Sequence, residues 1–275
     1  MRSVPSVLII KEFEMTKPFV VGFIVGVALL IVAGVGASRL QRRDATRIDA
    51  EAEERKYQVE IVDATPVQFG VLSDKQRVHS KLYTHYQQVR NGRTIHDLIE
   101  QARGKSKIIR TGVFPGLGPR LEPKTAENYF GELTLASDVV ILGTVIKKAS
   151  QITEDNTFIF TDYTISILEV LKNNLTAPLD VGAMITVTRP GGKILVNDII
   201  VQAIDESFEP LPFNNHKVLL FLNFIPETAS YKATRDTGSL ELDGSSIRPL
   251  GGNLPPGVLT DEKSLLTRIR TVINK

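Results

Sequence analysis

From Pro18 to Ser38 the chain carries no charged side chain, and this run (PFVVGFIVGVALLIVAGVGAS) constrains how the rest can be organised. A helix of that length spans roughly 30 Å at ~1.5 Å per residue, the thickness of a bilayer's hydrocarbon core. Each Phe, Val, Ile or Leu in it favours insertion by ~0.3–0.6 kcal/mol. The competing reading is a buried helix of a water-soluble protein, but such helices are seldom apolar on every side for so long. Thr16 suits the helix cap and Pro18 the first turn. The run predicts one transmembrane helix over residues 18–38, preceded by a tail over residues 1–17.

A cleaved signal peptide is the rival. Val35-Gly36-Ala37 has the small residues of a cleavage site, and Lys17 after Met15 would serve as a short basic start. The apolar stretch exceeds the usual ~7–15 residues of a signal core, which favours a retained anchor. Arg39, Arg42, Arg43 and Arg47 crowd the far flank, against Arg2, Lys11 and Lys17 before the helix. A literal count of these cations holds the rest of the chain in the cytoplasm. The short tail and signal-like pattern point the other way, and the extracytoplasmic side is the reading adopted here. Gly22 and Gly26 stand at the spacing that lets two membrane helices pack closely, so the expected partners include membrane lipid and a second copy forming a homodimer.

Residues 39–132 read as a juxtamembrane helical and linker region. Arg39 to Tyr57 is strongly charged, a solvated helix. Asp74 to Arg90 brings Val78, Leu82, His85, Tyr86 and Val89 towards one side at helical spacing. Thr94-Ile95-His96-Asp97 opens a further helix with a capping-box pattern, its apolar face being Ile95, Leu98, Ile99 and Ala102, and Gly104 stops it. Phe114 to Pro123 (FPGLGPRLEP) is a Pro/Gly linker.

Residues 133–250 change to β character. Strands are predicted at Asp138–Lys147, Phe158–Leu171, Met184–Thr188, Lys193–Ile204 and His216–Ile225, with shorter ones near Tyr231 and Leu240. Tyr163, Ile165 and Ile167 alternate with Thr164 and Ser166, which puts one face on a core. Pro190-Gly191-Gly192 suits a hairpin loop. Consecutive short strands predict an antiparallel β-barrel, OB-like, or a sandwich. Residues 251–275 form a loop and an amphipathic C-terminal helix, capped near Thr260 and Asp261, with Leu265, Leu266, Ile269, Val272 and Ile273 as its stripe. The fold class is therefore α+β.

The run Ala136 to Val145 (ASDVVILGTV), followed by Tyr163-Thr164-Ile165 and Leu168-Glu169-Val170-Leu171-Lys172, resembles the opening strands of netrin-like domains, the OB-type barrels of tissue metalloproteinase inhibitors and related modules. The resemblance implies a fold. It carries over no inhibitory residue, because those modules use disulfides and an N-terminal cysteine, and this chain has 0 cysteines.

Chemistry is sparse. Without cysteine there is no disulfide, thiolate ligand or thiol nucleophile. His79, His85, His96 and His216 form no H-E-x-x-H, so surface or packing roles are expected and no metal site. Asp198, Asp205, Glu206 and Glu209 are the one acidic grouping that could support acid/base hydrolysis. Neither Gly116-Leu117-Gly118 nor Gly191-Gly192 is a phosphate loop, and no cofactor is expected. A formal net charge of +2, with Lys147, Lys148, Arg189, Lys193 and Lys217 scattered among acids, argues against nucleic acid as partner. The leading expectation is a membrane-tethered, non-catalytic binding or scaffolding protein with a protein or small-ligand partner. The alternatives are a cell-envelope hydrolase using the acidic grouping, or a structural subunit of a membrane complex.

Overall fold

The computed structural model describes residues 51–84, 93–112, 126–204, 209–213, 216–234, 238–244, 246–251 and 261–274. The expected transmembrane segment, with Gly22 and Gly26, lies outside the described residues, and so do Asp205 and Glu206. Among the described residues no helix is long and apolar enough to cross a membrane.

The chain divides into two compact units, Met1–Gln58 and Val59–Lys275. In the first, residues 51–58 are helical, and Gln58 donates to Glu54 four residues back at 2.9 Å. The second is α+β. It contains helices α1 (Asp74–Leu82), α2 (Ile95–Ala102), α3 (Ala126–Ala136) and α4 (Glu262–Ile273). Its strands are β1 (Thr65–Pro66), β2 (Ile108–Gly112), β3 (Val139–Ile152), β4 (Ile159–Lys172), β5 (Met184–Pro190), β6 (Gly192–Val196), β7 (Ile199–Ile204), β8 (Lys217–Ile225), β9 (Ser230–Ala233), β10 (Ser239–Leu242) and β11 (Ile247–Pro249).

Two sheets result. The larger runs β11-β10-β8-β3-β4-β5-β9. β10 and β11 extend it beyond β8, so the sheet as a whole is not the closed barrel expected from sequence. Within it β8 also pairs antiparallel with β9, and β9 pairs parallel with β5, so β3, β4, β5, β9 and β8 form a circuit of hydrogen-bonded neighbours. The smaller sheet runs β1-β6-β7-β2, with β1 and β2 parallel to their neighbours.

Alternation explains the packing. Val139, Ile141 and Val145 of β3 pack with Val218, Leu220 and Leu222 of β8, Tyr163, Ile165 and Ile167 of β4, and Ile185 and Val187 of β5. The intervening Val140, Leu142, Leu219 and Phe221 face the other way, against Tyr129, Phe130 and Leu133 of α3 and Leu265, Leu266 and Ile269 of α4. β3 and β8 are thus buried on both faces, which is why they read as unbroken apolar runs. A third cluster joins Ile95 and Ile99 of α2 to Phe158, Phe160, Ile194 and Val201. Thr94 and Asp97 make the expected capping box on α2.

Three sequence expectations are corrected. Lys193–Ile204 is a hairpin, β6 and β7, because Asn197 and Asp198 turn back with φ of 48° and 62°. Pro190-Gly191-Gly192 does not close a hairpin but passes the chain from the large sheet to the small one. The first predicted helix stops at Leu82, and its buried residues are His79 and Ser80 rather than the Val78 stripe.

Lys193 donates to Glu60 and, at 3.1 Å, to Asp63, while Lys148 also pairs with Asp63 and Arg110 with Glu60. The Lys193 hydrogen bond holds the Glu60 carboxyl below its ordinary range. Burial pushes Asp63 up, but Lys148 and Lys193 outweigh it and its pKa is lowered. A depressed carboxylate stabilises the fold above its unfolded pKa and loses that contribution as pH falls through the folded value. The unfolding free-energy difference between wild type and Lys193→Met is expected to be full at pH 7 and to shrink below about pH 4, measured by urea titration.

β3 shifts register on either side of Gly143. A Cβ there would sit 2.5 Å from Ile165 Cγ2 and 2.8 Å from the Ser166 carbonyl oxygen. Gly143→Ala is expected to cost about 1–3 kcal/mol by overpacking, seen as a lower urea midpoint at unchanged m-value.

Candidate functional site

The most concentrated polar chemistry lies where α1 crosses β4, β5 and β9. Ser73 caps α1, and its reciprocal bonds with Gln76 set the first turn. Lys75, His79 and Tyr83 then follow at i, i+4 and i+8 and meet the sheet as one row. Lys75 Nζ donates to Thr186 Oγ1 at 2.9 Å. Tyr83 donates its phenol proton to Thr188 Oγ1 at 3.3 Å and stacks on Phe160 with ring centroids 5.8 Å apart. Asp162 and Thr188 are register partners on β4 and β5, so their side chains share the face under α1.

His79 is fully enclosed. Its Nδ1 lies 2.8 Å from Asp162 Oδ1, and its Nε2 lies 2.7 Å from Ser230 Oγ and 3.3 Å from Thr228 Oγ1. An ionised carboxylate only accepts, so Nδ1 carries a proton, and in the neutral imidazole Nε2 then accepts from the Ser230 hydroxyl. Thr228 and Ser230 are themselves 2.6 Å apart. They flank Ala229, which ends the short 3-10 turn Pro226–Thr228 in the left-handed region at φ 47°.

Asp162, His79 and Ser230 therefore stand in the order and at the distances of a carboxylate–imidazole–hydroxyl relay. Such a relay activates a serine only if a substrate carbonyl can reach its oxygen and backbone donors can hold the developing oxyanion. Ser230 has no exposed surface, and its oxygen faces His79 and Thr228. As folded, the row fastens α1 to the sheet. Each neutral hydrogen bond of this kind contributes about 1 kcal/mol net, and leaving a partner buried and unpaired costs more.

Asp198 and Glu209, the described members of the acidic grouping, lie elsewhere. Asp198 occupies the β6–β7 turn of the small sheet. Glu209 pairs with Arg248 of β11, which also holds Glu241 at 2.6 Å. Burial pushes the Arg248 pKa down, but Glu241 and Glu209 outweigh that and raise it. His216 binds Glu241 at 2.6 Å, and His96 sits edge-on to Phe69 at 5.3 Å. No group of three or more His, Asp or Glu able to hold a metal occurs among the described residues.

No family model, curated protein or solved structure matches this chain. The netrin-like resemblance rests on the strand pattern alone, and the site is read from its own geometry. Sequence reasoning missed the row because Asp162 and Ser230 lie 83 and 151 positions from His79. The one local signal was the i, i+4, i+8 spacing of Lys75, His79 and Tyr83. With Ser230 enclosed, a fluorophosphonate probe is expected to leave it unlabelled in the native full-length chain, read by peptide mass spectrometry. An adduct on Ser230 that disappears in His79→Ala would make the row catalytic.

Proposed function

We propose that this chain is a membrane-tethered, non-catalytic binding or scaffolding protein. Its uncharged segment 18–38 is the tether, and an OB-type barrel, read from the circuit β3-β4-β5-β9-β8, faces a protein partner on the extracytoplasmic side. One observation carries the binding part of this reading. Leu168, Leu175, Val181 and Met184 belong to the β4–β5 connection and its flanks, and their side chains are exposed, Leu175 by 99%. Lys172 Nζ ties the end of β4 to the carbonyls of Thr134 and Ser137, which brings the exposed Leu135 to the same end. An apolar group of this kind on a water-facing surface supports a contact site.

Within the second unit this apolar end lies away from β1. The second unit begins at Val59, and Thr65 Oγ1 accepts from the Ser150 amide near the last residues of β3. Lys172 pairs with Val140 at the opposite end of that strand, roughly 30 Å away at ~3.3 Å per residue.

The second reading is a cell-envelope hydrolase. It is now favoured by the His79–Asp162–Ser230 row rather than by the acidic grouping, and the fluorophosphonate experiment decides it.

Met184 allows a direct test, since the only other methionines are Met1 and Met15. Cells expressing the full-length chain with photoreactive methionine are expected to yield a membrane-fraction adduct on irradiation. Met184→Leu should abolish it, and Leu175→Asp with Val181→Asp should reduce it more than tenfold while the melting temperature holds. An adduct indifferent to these changes, or a chain recovered uncleaved in the soluble fraction, would refute the proposal.

A further inference from the structure

The three helices packed on the larger sheet are held in two ways. α3 and α4 seal it with Tyr129, Phe130, Leu133, Leu265, Leu266 and Ile269. α1 (DKQRVHSKL) has only Val78 and Leu82 as apolar residues, and its buried residues are His79 and Ser80. It is held through Lys75–Thr186, His79–Asp162, His79–Ser230 and the Ser80 hydroxyl, which accepts from the Glu154 amide at 2.8 Å. Tyr83, stacked on Phe160, is the apolar anchor at its C-terminal end.

A polar face behaves differently from an apolar one when its cover leaves. Asp162, Thr186, Thr188, Thr228 and Ser230 can each be rehydrated, and the apolar contacts α1 gives up on undocking are Leu82 on the core below it and the edge-on packing of His79 against Phe160. A nine-residue helix is too short to persist alone in water, so α1 gives up its helicity when it leaves. Its release is a local event, separate from opening of the β3–β8 core.

We propose that the outer face of β4, β5 and β9 is a binding site for a helical peptide, occupied in cis by α1, which acts as a detachable strap hinged at Tyr83. The occupant it selects presents a cation and an imidazole at i and i+4. The cation meets the Thr186 hydroxyl, and the imidazole bridges Asp162 and Ser230. A partner helix with that pattern competes with α1 for the face. This site rests on its own contacts and stands whether or not the apolar β4–β5 end, which continues the same face through Met184, binds a protein.

Hydrogen exchange on the full-length chain tests the strap without any substitution. The α1 amides are expected to exchange about 100-fold faster than the central amides of β3 and β4. In the double variant Lys75→Ala, His79→Ala, α1 should lose its protection while β3 and β4 keep theirs. A capped peptide of residues 70–82 should then bind this variant and not the wild type, whose own strap holds a high effective concentration. The same peptide carrying the two alanines should bind neither. Exchange of α1 at the rate of β3 and β4, loss of the strands' protection in the variant, or failure of the peptide to bind a variant with a released α1 would each overturn the proposal.

Discussion

The structure turns on two paired stretches of strand with no wet face, Val139–Leu142 of β3 and Leu219–Leu222 of β8. β3 and β8 lie side by side, Val139 opposite Leu222 and Ile141 opposite Leu220, and both sides of the pair are covered by apolar groups. Each residue pair therefore adds to one of two cores, and a one-residue slip would exchange the side chains meant for each. Burial of a Val, Leu, Ile or Phe side chain is worth about 1.5–3 kcal/mol, so the pair is the strongest single commitment the chain makes. β4, β5 and β9 contribute to one core, while α3, α4, β10 and β11 assemble over the other.

This doubly buried pair also explains what was legible in the sequence. Continuous runs such as VVIL and VLLFL mark strands covered on both faces, and the alternation of Tyr163, Ile165 and Ile167 with polar residues marks one covered on a single face. The capping box at Thr94 and the stripe of α4 were equally readable, because both are local. β1 and β2 were not, since Thr65–Pro66 and Ile108–Gly112 are too short to show a period and gain order only by pairing with β6 and β7. Asn197-Asp198 was passed over inside an apolar stretch, although two residues of that type with positive φ are what a tight hairpin needs.

The candidate site was nearly invisible for a different reason. Its members come from a helix, three strands and a turn, and no spacing rule connects them. His79 reads as any helical histidine until the sheet supplies a carboxylate to one ring nitrogen and a hydroxyl to the other. Of the carboxylates that sequence proximity grouped, Asp198 lies in the turn of the small sheet and Glu209 beside β11. Closeness in sequence carries little information in a β structure, where neighbours along a strand point to opposite faces and neighbours in space arrive from distant strands.

Charge placement follows from the same topology. Glu60 with Lys193, Glu169 with Arg270 and Glu262 with Lys217 each join elements far apart in sequence. Exposed pairs of this kind add little stability individually, but they restrict which element can lie beside which. The β4–β5 connection has little of this. From Asn173 to Ala183 the only ionisable side chain is Asp180, and the loop is closed by Asn173, whose amide oxygen accepts from the Leu179 amide at 2.8 Å. A loop shaped by its own neutral hydrogen bonds and held to the core by Leu179 and Ala183 leaves Leu175 and Val181 in water. That combination of a set backbone and unspent apolar surface lowers the ordering cost of a contact, because little remains to be immobilised when a partner arrives.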